Sequence, residues 1–188
     1  MNILDPKINS YLMDVIPDRD SVLTTMEEFA ENNNFPIVGP LVGRLLYALT
    51  QATGAKRILE LGSGFGYSAY WFAKAAGKES IVLCTDNSEE NSERAKAYFR
   101  RGRISNRLQF HVGSALSIFD VIEGKFDIIF NDVDKEQYPK VYRKAVARLR
   151  KGGLLISDNA LWDGKIVNQK PDVATAGVLT YTRLVYSS

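Results

Sequence analysis

The spacing of apolar residues divides the chain in two. Up to about residue 55 the repeat is helical. Val22, Met26 and Phe29 recur at i, i+4 and i+7, and Leu41, Leu45 and Leu49 mark the inner face of a further helix. Asp5-Pro6 opens a first helix through Ile16, which Pro17-Asp18 breaks. Asn32 to Pro36 is a loop, Pro40 begins the third helix, and Gly54 ends it. From Arg57 onward, short apolar runs appear instead: Arg57–Leu61, Ile81–Thr85, Leu108–Val112, Phe126–Asn131 and Leu154–Ser157. Between them lie helical stretches over Tyr67–Ala76, Glu89–Gly102, Ala115–Ile122 and Tyr138–Arg150, and one more helix covers Val173 to Tyr186. Short buried runs alternating with helices predict βαβ units and a parallel sheet covered on both faces. The expectation is one doubly wound α/β domain over residues 1–188, with a helical N-terminal extension (1–55) and a sheet core (56–188). Ligands bind beyond the carboxyl ends of the strands in such sheets, so chemistry is sought just after each run.

Composition narrows the class. The chain has 188 residues, 45% hydrophobic and 24% charged, which suits a globular domain and disfavours disorder or coiled coil. The formal net charge of +2 is too small to suggest nucleic acid. The single cysteine, Cys84, excludes an intrachain disulfide framework, so a reducing, cytoplasmic setting is expected. The first six residues lack the basic and apolar regions of a signal peptide. No apolar stretch approaches the roughly 20 residues of a membrane span.

After the first run stands Glu60-Leu61-Gly62-Ser63-Gly64-Phe65-Gly66-Tyr67-Ser68. Glycines let the backbone approach a ligand closely, and the following helix N-terminus presents free N–H groups. The spacing is G-x-G-x-G, so the dinucleotide fingerprint fails at Tyr67, and the phosphate-cradling lysine loop is absent. Glu60 places an acid at the strand end, suited to a cationic group. Asp86, ending the second run, can accept both hydroxyls of a ribose, or belong to a helix-capping loop with Ser88 as N-cap. After the third run, Ser114 either caps the next helix or meets an adenine edge. His111, the only histidine, reads as structural, and Cys84 as a packed apolar residue. After the fourth and fifth runs come Asn131-Asp132-Val133-Asp134-Lys135 and Ser157-Asp158-Asn159-Ala160-Leu161-Trp162. Asp132, Asp158 and Asn159 offer three oxygen donors with no nearby His or Cys, which suits Mg²⁺, Ca²⁺ or Mn²⁺; the alternative is ordinary turn chemistry. Lys135 lies three residues after Asp132. A lysine beside a bound cation has its charged form disfavoured, which would make it a usable base at neutral pH.

Together these segments resemble the cation-dependent, S-adenosylmethionine-using O-methyltransferases, the group of the caffeoyl-CoA and catechol enzymes and their small bacterial relatives. The resemblance runs from about Pro36 to Tyr186 and implies a Rossmann-like methyltransferase fold. It implies that Glu60, Gly62 and Ser68 hold the amino-acid end of the cofactor, with Val38, Gly64 and Tyr67 in the same pocket. Asp86 and Asn87 would take the ribose, and Gly113, Ser114 and Ala115 the adenine. Asp132, Asp158 and Asn159 would bind a divalent cation, Mg²⁺ first, with Asp132 also beside the cofactor. Lys135 would be the base, and Trp162 would lie with Lys135 by a small phenolic acceptor. A homodimer is implied, and neither nucleic acid nor membrane.

The sequence departs from that pattern in three places. Ser114 stands where many relatives carry Asp, and Asn131 replaces a usually apolar residue. The antiparallel strand pair that completes the family's sheet is missing, so the fifth strand is expected at an uncovered edge. Two other readings compete. One is a cofactor-binding protein without turnover. The other is methylation of nucleic acid through Arg100-Arg101-Gly102-Arg103 and the Lys140–Lys151 helix, but the Pro-Pro-aromatic signature of base amino-methylation is absent after the fourth run.

Overall fold

The computed structural model describes residues 5–187; Met1–Leu4, within the segment read as lacking a leader pattern, and Ser188 lie outside the described residues. The elements run α1 (Pro6–Val15), α2 (Ser21–Asn32), α3 (Gly39–Thr53), β1 (Arg57–Leu61), α4 (Tyr67–Ala76), β2 (Ile81–Asp86), α5 (Glu89–Arg101), β3 (Leu108–Val112), α6 (Ala115–Val121), β4 (Phe126–Asn131), α7 (Tyr138–Arg148), β5 (Leu149–Ser157) and α8 (Val173–Tyr186). All five strands are parallel, in the order β3-β2-β1-β4-β5. This is the expected doubly wound, Rossmann-like methyltransferase sheet, with β1 central and β3 and β5 at the edges.

Alternation along the strands builds two cores. Ile58, Val82, Cys84, Ile128 and Phe130 face α2, α3, α4 and α5, packing against Met26, Leu46, Trp71, Phe72 and Phe99. Leu59, Leu61, Leu83 and Ile129 face the other way, onto Phe119 of α6, Tyr138 and Val141 of α7 and Tyr181 of α8. Because both faces are buried, the strands read as continuous apolar runs rather than as alternating ones.

Caps agree with the sequence. Asp5 accepts from Lys7 N, and Ser88 accepts from Asn91 N. Two expectations need correction. The buried face of α3 is Gly43, Leu46 and Thr50, not Leu41, Leu45 and Leu49; Leu45 is 55% exposed. A Cβ on Gly43 would meet the Trp71 indole at 2.3 Å, so the stripe is set by a close helix approach and not by side-chain hydrophobicity. Thr50 is tolerated there because its hydroxyl donates to the Leu46 carbonyl at 2.7 Å. The second correction concerns β5, which begins at Leu149 rather than Leu154, so α7 stops at Arg148. The register slips between Phe126↔Leu149 and Ile128↔Leu154, so residues 150–153 bulge, with Gly152 at φ 76°. Arg150 turns back from the bulge to the Asp127 carboxylate and to the Thr53 carbonyl at 2.8 Å, tying β5 to the end of α3.

Candidate active site

The strand order reverses at β1, between β2 and β4, and a cavity of about 690 Å³ opens above the carboxyl ends of the strands there. Its floor is the glycine loop. The Gly62 N–H is held at the end of β2, by the Thr85 carbonyl at 3.2 Å, and Gly64 N donates to Asp86 Oδ2 at 3.2 Å. Gly62 has φ 85°, and a Cβ there would lie 2.3 Å from the Asp132 carbonyl. Only glycine lets the loops after β1 and β4 touch.

Around that floor the structure gathers nearly every residue singled out from the sequence. Val38, Gly62, Gly64, Tyr67 and Ser68 form one wall. Asp86, Asn87, Gly113, Ser114 and Ala115 form the next. Asp132, Lys135, Asp158, Asn159 and Trp162 close the remaining side. Asp86 lines the cavity and belongs to the loop that opens α5, accepting from Ser88 N and Asn91 Nδ2, each at 2.9 Å. Ser114 opens α6 without a side-chain capping bond, and its residue borders the cavity.

Glu60 is the exception. It is fully buried and absent from the cavity wall. Its carboxyl sits behind Ser68, whose hydroxyl bonds to it, and Cys84 Sγ approaches its other oxygen at 3.7 Å. Burial pushes its pKa up to about 8 against the hydrogen bonds of Ser68 and Ser63, and the Asp132 charge adds to the rise. The strand-end acid thus reaches the cavity through a serine rather than directly.

The acidic end is built by register. Asn131 of β4 pairs with Ser157 of β5, so Asp132 and Asp158 follow directly on two paired strand ends. Asp158 N donates to the Asn131 carbonyl at 3.1 Å, and Tyr138 OH donates to the Asp158 carbonyl at 2.9 Å. Burial raises the Asp132 pKa to about 6; Lys135 opposes that rise and the neighbouring Asp158 charge reinforces it. Lys135 is 8% exposed, with Nζ 3.1 Å from Asp132 Oδ1 and 3.3 Å from the Val133 carbonyl. Its ammonium also lies 5.0 Å from the Tyr138 ring centroid and 5.4 Å from that of Trp162.

Asn131, the departure noted in the sequence, is accommodated by a polar chain. Its amide donates to Ser157 Oγ at 3.1 Å, and Ser157 donates to Tyr181 OH at 2.7 Å. Three contributors had no sequence signal of their own. Phe35 closes over Gly64, Tyr138 braces the loop after β5, and Gly177 of α8 lies against the Lys135 backbone, where a Cβ would meet the carbonyl at 2.3 Å.

A five-stranded parallel sheet in this order, with a glycine loop, a β2-end acid and a cavity at the switch point, is a Rossmann-like methyltransferase fold, the class to which similar proteins assign it. The sequence pattern of the O-methyltransferase family matches residues 16–184, and the chain belongs to that family, in its caffeoyl-CoA and catechol type. It is 30% identical over 174 residues to a catechol O-methyltransferase of Niastella koreensis, spanning 89% of this chain and 79% of that one. It is 31% identical over 146 residues to caffeoyl-CoA O-methyltransferase 1 of Eucalyptus globulus, spanning 75% and 59%. The O-methyltransferase of Bacillus cereus, solved in complex with SAH, superposes with a TM-score of 0.88 at 28% identity, over 97% of this chain and 86% of that one. Among the described residues no helix is long and apolar enough to cross a membrane.

Proposed function

We propose that the protein transfers the sulfonium methyl group of S-adenosylmethionine to one hydroxyl of a small vicinal diphenol, with a divalent cation held by Asp132, Asp158 and Asn159. One observation carries this reading: the two carboxylates, the amide, Lys135 and the glycine loop share a single cavity. The donor set fits a hard ion. Burial is the main cause of the raised Asp132 pKa and the Asp158 charge adds to it; a cation between the two acids would relieve both costs. Asn159, which lines the same cavity, would give the third protein oxygen, and oxygens from water or acceptor would complete the shell. A bound cation would stabilise the phenolate form of the acceptor and favour chelating oxygens.

The chain's own residues supply the rest. With Asp132 turned to the cation and its ion pair to Lys135 released, Lys135 Nζ takes the hydroxyl proton, and the Val133 carbonyl holds that amine in place. Trp162 offers a flat wall to the acceptor ring. Ser68, backed by Glu60, meets the amino-acid end of the cofactor. Asp86 and Asn87 hold its ribose, and Ser114 and Ala115 lie at its base. The phenolate oxygen forms the new O–C bond as the S–C bond breaks, leaving a neutral thioether. Since the sulfonium is already activated, orientation and deprotonation are what the protein contributes.

Labelled S-adenosylmethionine, a panel of diphenols and Mg²⁺ test the reading. Methyl transfer should disappear with EDTA and return with excess Mg²⁺. Lys135→Ala should lower kcat by about 10²–10⁴ while leaving the melting profile cooperative. Cofactor binding in a calorimeter without transfer to any diphenol would refute it.

A further inference from the structure

One wall of the cavity is tied to a helix that does not border it. Tyr67 opens α4, lines the cavity and is 2% exposed. Its hydroxyl donates to Glu27 Oε1 of α2 at 2.6 Å. Glu27 is gripped in turn from the segment before α2. Arg19 Nε lies 3.0 Å from its Oε2 and 3.3 Å from its Oε1, and Arg19 Nη2 lies 3.0 Å from Oε2. Among the described residues, neither Arg19 nor Glu27 is part of the cavity wall.

Two successive residues at the start of α4 are thus each held from behind by an acid, Tyr67 by Glu27 of α2 and Ser68 by Glu60 of β1. The two acids differ. Glu60 is buried among uncharged partners, whereas Glu27 is paired with a guanidinium. A hydrogen bond to an ionised acceptor is stronger than one between neutral groups. Burial and the Glu27 bond hold the Tyr67 phenol far above its ordinary pKa, so it remains a donor. Trp71 stands edge-on to the same ring, with centroids 6.5 Å apart. A ring fixed at its far end is already in place when a ligand arrives, and binding then costs less ordering. A second bond joins the same two helices elsewhere. Asp20, seven residues before Glu27, pairs with Lys74, seven residues after Tyr67. Seven residues span about 10.5 Å of helix, so α2 and α4 are antiparallel and this second bond lies away from the cavity.

We propose that Glu27, gripped by Arg19, is a positioning residue for Tyr67, through which the N-terminal helical segment sets cofactor affinity without touching the cofactor. This rests on the reading of the Tyr67 wall as the cofactor's. The Asp20–Lys74 pair docks one helix on the other, while the Glu27 bond aims one ring.

Calorimetric titration of S-adenosylhomocysteine into the folded protein, with neither acceptor nor cation, tests this. Tyr67→Phe removes only the hydroxyl and should raise Kd about five- to tenfold, the equivalent of one lost hydrogen bond. Glu27→Ala should raise it by the same factor, and the double variant no further, because both side chains act through one bond. Glu27→Gln keeps an acceptor and should stay within about twofold of the wild type. Lys74→Met cuts the other bond between the same helices and should leave Kd unchanged. In turnover, KM for S-adenosylmethionine should rise with Kd while kcat at saturating cofactor holds. Where Glu27→Ala weakens the fold, Tyr67→Phe decides alone. An unchanged Kd in Tyr67→Phe, losses that add in the double variant, or an equal loss in Lys74→Met overturns the positioning role while the cofactor site stands. A wild type that does not bind S-adenosylhomocysteine overturns the reading of the wall, and the inference with it.

Discussion

Replacing Glu60 with Gln isolates the energetic consequence of a carboxyl sealed behind the cofactor loop. Glu60 is the one fully buried acid among the described residues, and its side-chain partners are the uncharged Ser68, Ser63 and Cys84. Burial lifts its pKa from 4.5 to about 8. Between those values the folded protein holds a proton that the unfolded chain has lost, so stability falls as pH rises from about 4.5 to about 8 and then levels off. At about 1.4 kcal/mol per unit, the full span is on the order of 5 kcal/mol, and the part between pH 5.5 and 8 is on the order of 3 kcal/mol. Gln keeps the shape and an acceptor for Ser68 but has no proton to lose. Urea unfolding of both ligand-free proteins at pH 5.5 and 9 measures the difference; titrating groups remote from Glu60 cancel in the comparison, while the Asp132 charge enters through its share of the Glu60 shift. The wild type should lose about 3 kcal/mol more than Glu60→Gln over that range. Parallel losses would refute the assignment of a neutral Glu60 in the folded protein at pH 7.

Four further variants probe packing and hydrogen bonding. Gly177→Ala inserts a methyl group where the Lys135 carbonyl lies 2.3 Å away; it should cost about 1–3 kcal/mol in denaturant unfolding and lower turnover, because α8 then pushes on the backbone of the proposed base. Leu46→Ala should cost about 2–5 kcal/mol, whereas Leu45→Ala on the same helix should change stability by no more than about 0.5 kcal/mol, which a pair of unfolding curves decides. Tyr138→Phe removes the donor to the Asp158 carbonyl and should cost about 1 kcal/mol, visible as a lowered melting temperature.

Much of the architecture was legible because its signals are local. The starts of β1 through β4 and both ends of α4 and α8 fall where the sequence places them, since short apolar runs against glycines and capping residues leave few alternatives. The strand-end rule then located the cavity residues without any knowledge of contacts. What escaped depended on residues far apart in the chain. The inner face of α3 is chosen by Trp71 entering the space above Gly43, and glycine carries no hydrophobic weight in a periodicity count. The bulge that lengthens β5 is held by Arg150 reaching Asp127 and Thr53, so Arg150-Lys151-Gly152-Gly153 looked like a helix end and turn. Glu60 was read as facing the ligand because a strand end is exposed by default. Ser68, returning on the next helix, covers it.

The contact between Gly177 and Lys135 has a consequence for the order in which the site matures. A ribosome delivers the glycine loop, the strand-end acids and Lys135 well before α8. The backbone surface that α8 presses upon therefore stands open for the time needed to synthesise some forty further residues. During that interval the nascent chain holds its cofactor-loop residues but lacks the support behind its lysine. The backing of the Lys135 backbone thus arrives as a late event, set by the docking of one small residue of α8.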